Sequence, residues 1–158
     1  MTFALPDPWY YPVATALHSG RIVVSSEINA LTQVLDWFAQ FNQPPLTYEL
    51  WWFCQLLLDE GFTNAVRHAH RDLPTSTPIT VEVQVFPETI EIRIWDQGPF
   101  FDLQGKLAEL AQTPPDPEPE GGMGLLFLSR FADVVEYQRH QGQNCLFLCK
   151  HFQPHQRD

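Results

Sequence analysis

A chain of 158 residues makes one ordinary domain, long enough to bury a single core and too short for two. Hydrophobic residues make up 44%, and nine Lys and Arg against nineteen Asp and Glu give a formal net charge of −10. Such a charge repels a polyanionic backbone, so direct nucleic-acid binding is not expected and a basic protein surface is the more natural partner, although acidity also serves plain solubility.

Cys54, Cys145 and Cys149 form no CxxC pair and cannot all pair with one another, so neither a disulfide framework nor a structural zinc site is expected. The first ten residues lack a basic region followed by an apolar one, and the longest apolar-rich stretch, residues 50–58, is too short to span a bilayer. These features predict a cytoplasmic protein with no membrane association.

Residues 1–20 form a Pro- and aromatic-rich segment with Pro6, Pro8 and Pro12 among Trp9, Tyr10 and Tyr11, and they show no clear period. The β-branched run Ile22, Val23, Val24 predicts a strand over 21–25, after which Ser26 stands where a helix N-cap would and Glu27 near the positive end of the dipole. Ile28, Leu31, Leu35 and Phe38 recur at helical spacing as far as the Pro44-Pro45 break. Thr47 can cap a second, longer helix reaching about residue 70, apolar almost all round in its first half and so central to the core.

Alternation of Ile79, Val81, Val83 and Val85, then of Ile90, Ile92 and Ile94 across Pro87-Glu88, predicts an antiparallel hairpin with one buried face. A short helix over 103–111 leads to Pro114-Pro115-Asp116-Pro117-Glu118-Pro119-Glu120, which fits only a surface loop. A further apolar helix to about residue 131 and strands near 134–139 and 145–152 follow, leaving a short tail over 153–158. The fold class expected is α+β: a two-layer sandwich with a mixed sheet covered on one face by about three helices.

Three clusters carry chemistry. Glu60, Asn64 and His68 recur every four residues and share one helix stripe. They suit a solvated helix end, and equally a proton acceptor placed beside an oxygen ligand for a hard cation such as magnesium. Asp96-Gln97-Gly98 follows a strand and offers a carboxylate to an amine donor, with bare backbone beside it for close approach. Gly121-Gly122-Met123-Gly124 opens a helix whose amides can receive phosphate oxygens, and the acidic Pro-rich run before it suits a mobile lid. His68 and His70, two apart, point in different directions and are assigned no metal role; His68 is expected to orient the helix end through a hydrogen bond.

Taken together, and in this order, the clusters resemble the nucleotide site of the GHKL superfamily, the gyrase, heat-shock, histidine-kinase and MutL ATPases. Glu60-x-x-x-Asn64-Ala65-x-x-His68-Ala69 is similar to its asparagine box, Asp96-x-Gly98-x-x-Phe101-Asp102 to its first glycine box and Gly122-x-Gly124-Leu125 to its second. The resemblance covers residues 21–152, an ATP-binding kinase-like domain with the two-layer fold of that superfamily. Phe62-Thr63-Asn64-Ala65-Val66 and the ending Gly142-x-Asn144-x-Leu146-x-Leu148-x-Lys150 are similar to the anti-sigma-factor serine kinases in particular.

That resemblance implies ATP and Mg2+ as cofactors, with Glu60 as general base, Asn64 as magnesium ligand, Asp96 accepting the adenine amino hydrogen, Gly98 bordering the base, and Gly122 and Gly124 over the phosphates. It further implies a serine/threonine-protein kinase acting on an anti-sigma-factor antagonist protein, with a sigma factor or other regulatory target as second partner and a homodimer as a possible assembly. Some relatives carry a basic residue just before the second glycine box. Here Asp116, Glu118 and Glu120 crowd the lid and oppose a bound triphosphate unless they face solvent, so a nucleotide-responsive adaptor without significant kinase activity is the alternative. A histidine kinase would need a dimerisation segment bearing a phosphoacceptor His, and a gyrase or MutL-type ATPase a transducer domain, and the chain shows neither.

Overall fold

The computed structural model describes residues 16–112 and 123–153. Its strands are β1 (His18–Ser25), β2 (Pro78–Val85), β3 (Thr89–Asp96), β4 (Val134–His140) and β5 (Gln143–His151), in one sheet of order β1-β2-β3-β5-β4. The expected α+β sandwich is present, and its sheet is antiparallel throughout rather than mixed. Two helices separate β1 from β2 and bring the chain back to the end of the sheet that β1 left. Two hairpins supply the other turns of direction, and the last of them inserts β5 between β3 and β4.

Each hairpin turn has a local cause. Between β2 and β3 the Phe86 N–H donates to the Thr89 carbonyl at 2.8 Å, and the Pro87-Glu88 pair occupies the bend. Between β4 and β5, Gln141 and Gly142 take φ of 50° and 80°, the left-handed pair that matches the twist of a two-residue hairpin.

Among the described residues four α-helices, α1 (Ala30–Phe38), α2 (Tyr48–Asn64), α3 (Leu103–Gln112) and α4 (Met123–Phe131), accompany the sheet. The expected cap of α2 is present: the Thr47 hydroxyl accepts the Leu50 N–H at 3.2 Å, a contact of about 1 kcal/mol. Cys54, Leu57, Leu58 and Phe62 of α2 are buried with Ile79, Val81, Val83, Ile92, Ile94 and Leu148 of the sheet. Trp52 remains 49% exposed, so α2 is less uniformly buried than its composition suggests.

The beginning of α1 differs from the sequence expectation. The helix starts at Ala30 behind Asn29, which makes no side-chain cap, and its buried face is Ala30, Val34 and Phe38, with Ile28 exposed. Ser26 caps nothing: it is buried and bonded to His70, as described below. Among the described residues no helix is long and apolar enough to cross a membrane. All three cysteines are free and buried, and burial pushes the Cys54 and Cys145 thiols up to about 12, which keeps them protonated and unreactive.

Candidate functional site

The α2 helix does not stop at Asn64. It continues as a π-helix, Ala65–Ala69, whose last turn is closed by the His70 N–H donating to the Ala65 carbonyl at 2.9 Å. A π turn holds one residue more than an α turn, so it shifts the phase of whatever follows. Asn64 and His68 still line a common cavity, whereas His70 turns inward and is 3% exposed. The orienting hydrogen bond expected of His68 therefore belongs to His70.

The cavity holds about 360 Å³ beneath the C-terminal part of α2 and is walled by Asn64, His68, Ile94, Asp96, Tyr137 and Leu146 among others. Phe100 and Phe101 also line it, stacked or tilted on Tyr137 with ring centroids at 5.6 Å and 4.8 Å. A flat apolar group bounded by such rings would bury its faces while its polar edge met Asp96.

Asp96 is buried at the end of β3, and its carboxylate organises the turn that follows. Oδ1 accepts the Gly98 N–H at 2.9 Å and the Asn144 Nδ2–H at 2.9 Å. Oδ2 accepts the Tyr137 hydroxyl at 2.9 Å. Burial and the adjacent Asp96 charge both push the Tyr137 phenol up, so it remains a donor. Oδ1 has spent both its lone pairs; Oδ2 retains one for a further donor such as an amine. Asn144, a position missed in the sequence reading except as part of a C-terminal pattern, also donates to the Gly98 carbonyl at 2.8 Å.

Gly98 is required by close approach. A Cβ there would stand 2.1 Å from the Ala69 carbonyl oxygen, so the turn lies directly on the backbone of the π-helix. Glu60 and Asn64 meet Gly124 at the start of α4: a Cβ on Gly124 would lie 2.5 Å from Glu60 Oε2 and 3.7 Å from Asn64 Nδ2. Glu60 is not part of the cavity wall itself, and its carboxylate lies beside the portion that Asn64 and Leu125 form. Gly122 and the acidic loop before it fall outside the described residues.

Residues 24–150 match the family model described as the histidine kinase-like ATPase domain. The chain belongs to this family. It is 35% identical over 92 residues to the serine-protein kinase RsbW of Bacillus licheniformis, covering 56% of this chain and 57% of that one. It is 30% identical over the same length to RsbW of Bacillus subtilis strain 168, and 32% identical over 106 residues to RsbW of Oceanobacillus iheyensis, 64% of this chain and 66% of that one. The chain thus spans about half the length of the first of these relatives, and it is placed among the RsbW-like members of the family.

A histidine kinase-like ATPase domain uses ATP, typically with magnesium, and the Asn64 carboxamide provides a test of fit. Its Nδ2 is buried with no hydrogen-bond partner among the described residues, a state that costs about 1–3 kcal/mol. A half-turn of the amide presents Oδ1 at the same place, next to Glu60, and oxygen is the donor a hard cation takes. The donor set fits magnesium.

Proposed function

We propose that this ATPase domain binds magnesium-ATP and transfers the γ-phosphoryl group to a Ser or Thr hydroxyl of an antagonist protein, holding a sigma factor or comparable regulatory target in the alternate nucleotide state. The observation that carries the reading is the meeting of Glu60, Asn64 and Gly124 beside a cavity that also reaches the buried Asp96 carboxylate. The naming of the relatives as serine-protein kinases supports a protein hydroxyl over water as acceptor.

Each residue has a role suited to its surroundings. Asp96 accepts the adenine amino hydrogen on the remaining lone pair of Oδ2, and the bare Cα of Gly98 keeps the turn seated where it borders the base. Asn64 offers its oxygen to magnesium, which when bound neutralises phosphate charge. Gly124, and by resemblance Gly122, leave room for phosphate oxygens at the N-terminus of α4. Glu60 takes the proton of the acceptor hydroxyl as its oxygen bonds to the γ-phosphorus, the bond to the β-phosphate oxygen breaks and ADP departs. Positioning and charge neutralisation dominate such transfer, so a short list of residues with a partner's hydroxyl suffices. A cytoplasmic setting accords with this role.

Single-turnover transfer from ATP to a cognate antagonist tests the reading. Glu60→Gln keeps the size of the side chain and abolishes its basicity, so ATP affinity should hold while transfer slows on the order of 10²-fold or more. Equal rates for wild type and variant would remove Glu60 from the chemistry. The acidic sequence run containing Asp116, Glu118 and Glu120 favours the adaptor as second reading; ATP binding by wild type with no transfer to any cognate partner would establish it.

A further inference from the structure

His70 lies outside every motif that the nucleotide reading uses, yet its ring is buried at the junction of three segments. Its Nε2 accepts the Gln97 backbone N–H at 2.7 Å, so that nitrogen carries no proton and the neutral ring is protonated at Nδ1. Nδ1 lies 3.0 Å from Ser26 Oγ, to which it donates. The Gln97 N–H thus fixes the tautomer, and Ser26, beyond the end of β1 and 44 residues from His70, accepts the Nδ1 proton and anchors that edge of the ring.

The position of the clamp gives it a consequence. Gln97 is the middle residue of the Asp96–Gly98 turn, and His70 directly follows the π-helix that continues from Glu60 and Asn64. Asp96 closes the turn on itself through the Gly98 N–H, Asn144 holds it from the β5 side through the Gly98 carbonyl, and the Gln97 N–H is held from the helix side by His70. The Gly98 Cα meets the Ala69 carbonyl with no space for a methyl group, so the two segments can neither close further nor, while the His70 bond persists, drift apart.

We propose that His70 is a positioning residue of the nucleotide site: neutral and protonated at Nδ1, it ties the Asp96–Gly98 turn to the helix bearing Glu60 and Asn64 and so sets the purine-reading carboxylate against the metal-ligating carboxamide. The proposal rests on the ATP reading above. Burial of the ring holds His70 below the ordinary histidine value of 6.5, and the charge of Asp96, the charged group that faces it among the described residues, opposes this. Ser26 and Gln97, its two hydrogen-bond partners, are uncharged. The neutral clamp is therefore complete above 6.5 and is lost as pH falls through the lowered value, because a ring protonated on both nitrogens cannot accept from Gln97.

Two variants test this, each checked for cooperative unfolding. His70→Leu removes the acceptor. His70→Gln places a carboxamide oxygen near the position of Nε2 and does not titrate. Hydrogen exchange at the Gln97 amide, followed without nucleotide, should accelerate at least about tenfold in His70→Leu and recover in His70→Gln, since exchange reads loss of a protecting bond. Calorimetric affinity for magnesium-ATP should fall about tenfold or more in His70→Leu and recover in part in His70→Gln. Between about pH 8 and about pH 5, wild type should lose more affinity than His70→Gln. Unchanged Gln97 exchange in His70→Leu would overturn the clamp; faster exchange with unchanged ATP affinity would overturn its positioning role. Wild-type protein with a protected Gln97 amide and no affinity for magnesium-ATP would refute the nucleotide reading instead, and the clamp would stand as a structural tie.

Discussion

Gly98→Ala probes the contact on which the site's geometry depends. The added Cβ would lie 2.1 Å from the Ala69 oxygen, 2.7 Å from its carbonyl carbon and 3.0 Å from its Cα, and all three atoms are backbone. No rotamer relieves that overlap. The turn must retreat by roughly 1 Å, a displacement that can by itself cost on the order of 10²-fold at a site built on alignment. Retreat also stretches the 2.8 Å bond from Asn144 to the Gly98 carbonyl and the 2.9 Å bond from the Gly98 N–H to Asp96. Overpacking of this kind costs about 1–3 kcal/mol, and a buried polar group left unpaired a comparable amount. We expect denaturant unfolding to report a loss of about 1–3 kcal/mol, and calorimetry a loss of magnesium-ATP affinity of about tenfold to a hundredfold. Wild-type affinity in a variant of wild-type stability would refute the claim that the turn and the π-helix are in rigid contact.

Gly124→Ala should behave differently, because its Cβ would clash with the far end of the Glu60 side chain, at 2.5 Å from Oε2, and meet Asn64 Nδ2 at an ordinary 3.7 Å. Stability should change by less than about 1 kcal/mol while single-turnover transfer slows more than ATP affinity falls. Asp96→Ala should abolish most affinity for ATP, since it removes the carboxylate and leaves Asn144 Nδ2 and the Tyr137 hydroxyl without their shared acceptor; calorimetry with unchanged affinity would exclude Asp96 as the adenine partner. Asn64→Ala should weaken magnesium-supported binding, and an equal effect of magnesium removal on wild type and variant would exclude it as the ligand.

Much of the fold was legible because its determinants are local. The Thr47 cap lies three residues from the amide it satisfies, and the alternation in β2 encodes which side chains are most buried, whereas β3 departs from the expected single buried face because Glu91 and Arg93, paired at 3.1 Å, are buried along with Ile90, Ile92 and Ile94. The Asp96 turn was legible for the same reason, since an acid two residues before a glycine can bond that glycine's own N–H. Ser26 is the instructive failure. Its position ahead of an apolar periodic run satisfied every local rule for a helix cap, and a partner 44 residues away took the hydroxyl instead.

His70 was passed over by a related route. Spacing by four puts Glu60, Asn64 and His68 on one stripe only while the helix remains α, and nothing in Ala65-Val66-Arg67-His68-Ala69 announces the extra residue of a π turn. Even with the phase shift His68 stays at the cavity wall with Asn64, as its spacing implied, and what spacing did not foretell is the burial of His70. A buried ring that both accepts from Gln97 and donates to Ser26 depends on the joint arrangement of β1, the helix and the β3 turn. Sequence spacing identifies the groups able to do chemistry, whereas the bond that holds two such groups at a fixed separation is a property of the packed fold.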